Sequence, residues 1–495
     1  MNVADLLAMR AAEIPDATAV MEGERSLALG ALDAAVWGLA ALLRREGVRP
    51  GDVVGLQTKG SLLHLTASFA LARIGAVQLA ISADAAAAQR NDALLKRANA
   101  SAVVTDRPDA LSPAWSRIPL DPEGPFSLAG RPDAALRHPG GNWPLMYKSS
   151  SGTTGTPKLI GATHEGMIAS IRREQVVVGY PVGERYMTPV DLQFDAPKRR
   201  YFACIAAGGT AVMSPQGLEI DGFCDALDRY GIRHFSCVPR QASDIANFLP
   251  PGRQRFAAMR CFRLSAAPAG RHTLELLRER ICSNIVLSYG CSELGPMTFA
   301  GPAVVRTAPQ SVGRAMPGIS IEIVSNEDAP LAPATTGIVR VRAEGMPASY
   351  VDDPQATARH FRHGWFYPGD LGSLSPDGML TLMGRSDDMM IFDGMNIAPM
   401  EIETVLQEHP AVLETAAFPL RSRESYQLPV AAVVLRHEVD MTDLMRFARN
   451  RLGGRAPLFI VSVNALPRNQ GGKVLKNDLA AAVENHLNSR SGSRK

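Results

Sequence analysis

Val53-Val54-Gly55-Leu56, Val77-Gln78-Leu79-Ala80-Ile81 and Ala102-Val103-Val104-Thr105 are short apolar runs, with helical periodicity between them at 61–73 and 85–98. Branched apolar runs of this length read as buried strands, and strands spaced by helices of this size read as βαβ units. The pattern predicts a parallel sheet with helices on both faces. The alternation returns downstream as helix 201–207, strand 210–213, helix 222–230 and strand 234–238. Upstream, 29–45 has a helical period, and 1–13 reads as an amphipathic helix stopped by Pro15. The sequence carries no fixed-period repeat.

Near Gly337 the texture changes. Residues 337–342 and 379–384 read as strands joined by loops, and a fresh α+β pattern begins at Pro399. Its helix, 399–408, precedes strands at 414–419 and 430–435 and a helix at 441–451. A boundary near Asp387 leaves a C-terminal unit of about 110 residues, an ordinary size for an independent domain.

The chain has 495 residues, 46% of them hydrophobic and 20% charged, with a net charge of +3. So small and mixed a charge argues against a nucleic-acid or membrane-surface protein. The basic stretch 489–495 reads as a disordered end. Six cysteines form no Cys-x-x-Cys pair and sit beside no histidine cluster, so they read as buried reduced thiols of a cytoplasmic enzyme. The start lacks the basic end and continuous apolar stretch of a signal peptide. His64, Arg73 and Gly75 interrupt the apolar run 62–81, which reads as a buried helix and strand rather than a membrane span.

Ser149-Ser150-Ser151-Gly152-Thr153-Thr154-Gly155-Thr156-Pro157-Lys158 is the strongest local signal. Glycines let backbone N–H groups approach phosphate oxygens, hydroxyls add donors, and lysine adds a point charge. A flexible linker is the plain alternative, but linkers rarely end in Thr-Pro-Lys between two apolar runs. The spacing does not fit a Walker A loop.

The loop resembles the phosphate-binding loop of the adenylate-forming superfamily: acyl-CoA synthetases, luciferases and peptide-synthetase adenylation domains. Leu159 departs from the glycine common there. Other motifs follow in the family's order, from about residue 10 to residue 480. Ser288-Tyr289-Gly290-Cys291-Ser292-Glu293 is similar to the aromatic-Gly-x-Thr-Glu segment. Trp365-Phe366-Tyr367-Pro368-Gly369-Asp370 is similar to the segment whose aspartate accepts the ribose hydroxyls. Gly384-Arg385-Ser386-Asp387-Asp388 resembles the hinge, although Met390-Ile391 stands where the family commonly has Ile-Lys. Pro467-Arg468-Asn469-Gln470-Gly471-Gly472-Lys473 resembles the C-terminal catalytic loop.

The resemblance implies an α/β fold: a large N-terminal domain (1–386) of doubly wound sheets plus a β-rich subdomain, and a small mobile α+β domain (387–495). It implies that Lys473 and Lys158 are catalytic and that Glu293 and Thr154 hold Mg²⁺. Ser150, Ser151, Gly152, Thr153, Thr154 and Gly155 would bind phosphates, and Tyr289 with Gly290 the adenine. Asp370 and Arg385 would take the ribose or phosphate, with Asp387 as the hinge. The acyl pocket would include Phe194, Asp195, Arg199, Ala266 and Ala267. Two charges and two methyl groups in those positions point to a small polar acid, an amino acid or a dicarboxylate leading. The implied activity is ATP-dependent formation of an acyl-adenylate with release of pyrophosphate, followed by transfer to a thiol. The thiol is CoA or, in the alternative, the phosphopantetheine of an acyl or peptidyl carrier protein. A luciferase-type oxygenase shares the first half-reaction. A catalytically dead binding protein would be expected to have lost Lys158, Glu293, Asp370 or Lys473, and all four are present.

Overall fold

The computed structural model describes residues 1–149, 158–421, 427–468 and 474–492. Ser150 to Gly155 and Lys473 lie outside the described residues. Among those described, two seven-stranded sheets carry most of the chain. One runs in the order Ile285–Ser288, Cys261–Ser265, His234–Cys237, Arg185–Thr188, Thr210–Met213, Thr18–Glu22, Arg25–Ala28. Its pairings are parallel except the last. The other runs Tyr350–Val351, Leu159–Thr163, Pro144–Ser149, Val77–Ala80, Val53–Gln57, Ala102–Thr105, Arg117–Pro119. Its last four pairings are parallel, and the two at the Tyr350 edge are antiparallel. The βαβ reading therefore holds in both halves.

Helices Leu29–Arg45, Ser61–Ile74 and Asp195–Ala206 pack in one continuous apolar core with residues of both sheets. The run 62–81 is a buried helix followed by a buried strand, as its apolar continuity predicts. No helix among the described residues is long and apolar enough to cross a membrane. All six cysteines are free; five are buried, and Cys291, expected to be buried, is half-exposed.

The change of texture begins earlier than Gly337. An eight-stranded antiparallel sheet already includes Thr298–Phe299, Ser311–Ala315 and Ile319–Val324 before Gly337–Ala343 joins it. These strands are short or only half-buried, so they lack the apolar runs by which a buried strand is recognised.

Beyond Met390, helices Pro399–Gln407 and Met441–Leu452 pack on a sheet ordered Val412–Arg421, Gln427–Leu435, Phe459–Ser462. Two apolar clusters here are built wholly from residues after 389. Ser489 to Gly492, expected to be disordered, continue the helix Lys476–Gly492. A helix propagates cheaply once nucleated, so a polar end can extend one anchored by Leu479 and Val483.

Candidate active site

Strand Ile285–Ser288 ends at the edge of the first sheet, and Tyr289 follows it. Gly290–Cys291 then pairs antiparallel with Gly295–Pro296, so Ser292, Glu293 and Leu294 form the tip of a tight hairpin. A Cβ at Gly290 would lie 2.3 Å from the Gly295 carbonyl oxygen. Gly290 therefore has a steric reason to be glycine, quite apart from any nucleotide.

The Glu293 carboxylate accepts a 2.8 Å hydrogen bond from the Tyr350 hydroxyl. Tyr350–Val351 pairs with Leu159–Thr163, the strand that leaves the Ser/Gly loop, and Lys158 sits just before that strand. Lys158 Nζ lies 3.0 Å from His360 Nε2 and 5.0 Å from the centre of the Tyr350 ring. His360 Nδ1 is 2.8 Å from the Tyr367 carbonyl. A lysine ammonium only donates, so Nε2 accepts and the proton sits on Nδ1, donated to that carbonyl. Burial, with Lys158 beside it, lowers the His360 pKa and keeps the ring neutral. Tyr350 and His360 thus tie Lys158 to Glu293. Sequence reading missed both. Tyr350 lies on a two-residue strand, and His360 ends a seven-residue helix, too short to show a period.

Asp370 and Arg385 face each other across adjacent strands, Asp370–Leu374 and Met379–Arg385. Arg385 Nη1 lies 3.4 Å from Asp370 Oδ1 and donates to the Pro368 carbonyl at 3.1 Å. The Tyr289 hydroxyl donates to Asp370 Oδ2. Burial, followed by the charge of Asp370, pushes the Tyr289 hydroxyl well above its ordinary pKa, so it remains a donor. Asp387 stands in the turn Ser386–Asp388, where Arg359 donates to Oδ1 and Arg385 Nη2 lies 3.8 Å from Oδ2. The structure brings Tyr289, Asp370, Arg385 and Asp387 into one chain of contacts.

Helix Asp195–Ala206 begins at Asp195, earlier than its apolar period suggests. Phe194 is its half-buried N-cap, and an acidic first residue suits the positive end of a helix dipole. Asp195 accepts from Arg199 one turn on, and Lys148 Nζ lies 3.3 Å from Asp195 Oδ1. Burial raises the Asp195 pKa, but Lys148 and Arg199 outweigh it and hold it below the ordinary value. Lys148 also donates to the Ser292 carbonyl at 3.0 Å, which links this helix to the Glu293 hairpin. The Arg199 guanidinium lies against Gly295, where φ is +74° and a Cβ would sit 2.9 Å from Nη1.

Lys198, three residues after Asp195 on the same helix, donates to Gln78 Oε1 at 3.0 Å. Burial pulls its pKa down to about 8. Ala266 and Ala267 are exposed at the end of strand Cys261–Ser265. Ala266 has φ +74°, a conformation costing an L-residue about 1–2 kcal/mol relative to glycine.

A buried ion pair fixes the helix in front of the pocket to the sheet. Arg263 donates to Glu174 at 2.7 Å, and both side chains are almost wholly buried. Arg200 lies 3.9 Å from the same Glu174 oxygen and donates to Ser236 and Ser265. Burial raises the Glu174 pKa, yet Arg263 pulls it down to about 2, below its ordinary 4.5. A depressed carboxyl stabilises the folded state fully above its unfolded pKa and loses that contribution as pH falls to the folded one. Unfolding followed by fluorescence should therefore show a loss of about 3 kcal/mol between about pH 5 and pH 2. In Glu174→Gln that acid-dependent step should vanish, with about 3–5 kcal/mol already lost at pH 7 because Arg263 stays buried without a counter-charge.

Residues 7–351 match the family described as AMP-binding enzyme, and residues 401–473 match the AMP-binding enzyme C-terminal domain. The chain belongs to the AMP-binding enzyme family. Indoleacetate–CoA ligase of Aromatoleum aromaticum is 29% identical, with 98% of each chain covered. 2-Succinylbenzoate–CoA ligase of Bacillus subtilis is 28% identical over 69% of each. The fold matches that of o-succinylbenzoate CoA synthetase from Bacillus subtilis, solved with its acyl-adenylate intermediate. There the TM-score is 0.84 at 22% identity, covering 96% of this chain and 97% of that one. As a member of the AMP-binding enzyme family, the protein is an AMP-forming acid–thiol ligase. It activates a carboxylic acid with ATP as an acyl-adenylate and passes the acyl group to a thiol.

Proposed function

We propose that the reaction takes place where Lys158, Glu293, Asp370 and the Asp195 helix converge, on a compact polar acid, with CoA as the thiol. The observation that carries this reading is the Lys158–His360 and Tyr350–Glu293 bridging, which joins the lysine that follows the Ser/Gly loop in sequence to the carboxylate of the hairpin. No cluster of three or more metal-ligating side chains exists among the described residues. That fits Mg²⁺, which is usually held by one or two carboxylates together with substrate phosphates. Glu293, with Thr154 of the loop, would hold the ion, which offsets phosphate charge when bound.

Carboxylate and triphosphate repel, so the chain must neutralise both. Lys158 and the hydroxyls and backbone of 150–155 orient the phosphates. Tyr289 and Asp370, steadied by Arg385, hold the nucleoside. Lys473 offsets the charge that builds as the acid attacks the α-phosphorus and pyrophosphate leaves. Residues 387–495 close over the mixed anhydride, keep water out, and then turn about Asp387 to admit the thiol. Polar contacts support this mobility: Arg240 to Glu414 at 3.3 Å, and Arg359 to Asp387, join the two parts and exchange readily with water.

Asp195 is already neutralised by Lys148 and Arg199, so a substrate amine would have to displace one of them. This favours a simple acid over an amino acid. Reduced thiols and the use of ATP and CoA support a cytoplasmic location. ATP–pyrophosphate exchange across a panel of acids tests the reading, followed by CoA and a phosphopantetheinyl carrier protein as rival acceptors. Short polar acids should support exchange and CoA should take the acyl group. Preference for palmitate, or transfer to the carrier protein alone, would overturn it.

A further inference from the structure

Arg173 lies on the helix His164–Val178 and is 5% exposed. Its guanidinium makes no hydrogen bond or ion pair among the described residues, and its Nε is sealed from solvent without a partner. Ser170, one turn earlier, is also buried with its Oγ unpartnered. A buried guanidinium normally has a counter-charge, because the desolvation of an unpaired one is repaid by nothing. The neighbouring cations do have theirs: Lys148 and Arg199 share Asp195, and Arg263 holds Glu174. Burial and the nearby Arg199 pull Arg173 down to about 10, against the weaker attraction of Glu344 and Glu174.

Arg173, Ser170, Arg199, Lys148, Glu293 and Glu344 line one cavity of about 20 Å³. That is room for one water-sized group, such as a carboxylate oxygen, and too little for a phosphate. Ser170 and Arg199 both crowd Gly295, so the cavity opens beside the hairpin that carries Glu293. Glu344 is exposed and Glu293 accepts from Tyr350, so Arg173 is the cation of this lining without an ion pair among the described residues.

We infer that Arg173, together with Ser170 and Arg199, binds a second carboxylate carried by the acid, so that the enzyme's substrates are compact dicarboxylic acids. This rests on the reading above that the acid lies along the Asp195 helix. The first carboxylate faces ATP and becomes the anhydride; the second remains ionised in the cavity and takes no part in bond making. Arginine suits the role because it keeps its charge when buried and its rigid, planar donors fix the direction of the oxygen they meet. The arrangement also rejects monocarboxylates, which leave the guanidinium buried and unanswered.

The test compares the full-length wild type with Arg173→Met and Arg173→Lys, using succinate against butyrate and phthalate against benzoate. In ATP–pyrophosphate exchange, the wild type should favour the dicarboxylate of at least one pair by about tenfold or more in kcat/KM. In Arg173→Met that ratio should fall about 10²-fold, chiefly through KM, and Arg173→Lys should recover part of it. Thermal unfolding supplies a readout independent of turnover. Without ligand, Arg173→Met should melt higher than the wild type, because an unpaired buried charge is gone. Succinate or phthalate should raise the melting temperature of the wild type and not of the variant. An unchanged kcat/KM ratio, or an equal thermal response in the two proteins, overturns the inference. If no acid supports exchange while the dicarboxylate response still depends on Arg173, the carboxylate site stands and the adenylation reading falls.

Discussion

Lys473→Ala should lose adenylate formation by about 10²–10³-fold or more, while thioester formation from pre-made acyl-adenylate persists. The expectation follows from the charge the first step creates. A carboxylate attacks an already anionic phosphate, and a single preorganised cation at that point contributes on the order of 10²–10³ in rate. The second step no longer brings two anions together: the thiolate attacks a neutral acyl carbon, the acyl–oxygen bond breaks, and AMP leaves with that electron pair as its second negative charge. Pyrophosphate exchange measures the first half-reaction, and thioester yield from synthetic acyl-adenylate and CoA measures the second. Equal loss in both would mean that Lys473 stays in place throughout, and the turn of 387–495 about Asp387 would have to be abandoned.

Asp370→Asn should raise KM for ATP by about 10–100-fold, with a smaller effect on KM for the acid. In the free protein the Asp370 carboxylate takes the Tyr289 hydroxyl on one oxygen and lies 3.4 Å from Arg385 on the other. A hydrogen bond to a charged group contributes about 1.5–3 kcal/mol, which sets the size of the expected change. The amide would present a donor where the nucleoside offers hydroxyl donors, and would leave Arg385 with less of its counter-charge. Tyr289→Phe separates the two contributions. It removes the hydroxyl, keeps the aromatic face and leaves the carboxylate, so it should cost much less in KM for ATP. Equal losses in the two variants would mean that Asp370 acts mainly by positioning Tyr289.

The strands at 53–57, 77–80, 102–105 and 210–213 were legible because each is an apolar run buried on both faces, a property the residues carry wherever the chain goes. Helix Leu29–Arg45 was legible to the residue for a similar reason: its apolar period is unbroken. Lys158, Glu293, Asp370 and Arg385 could be singled out from motif order, as residue types suited to phosphate and ribose. What joins them was not. Lys158 and His360 are 202 residues apart, and Glu293 and Tyr350 are 57 apart. Nothing local marks either partner, because each contact depends on which strand edges meet. The two cations of the pocket helix make the same point. Lys198 and Arg199 are adjacent in sequence, yet one donates to Gln78 on the second sheet and the other to Asp195. A helix turns about 100° per residue, so neighbours face different surroundings, and only packing decides what those are. Arg173 looks in sequence like any polar residue of a helix. Its buried charge, without an ion pair among the described residues, exists only because the helix His164–Val178 is pressed against Arg199 and the Glu293 hairpin. The layers and the chemical cast could be read from the residues; which charges found partners could not, since pairing is set by distances that no local pattern encodes.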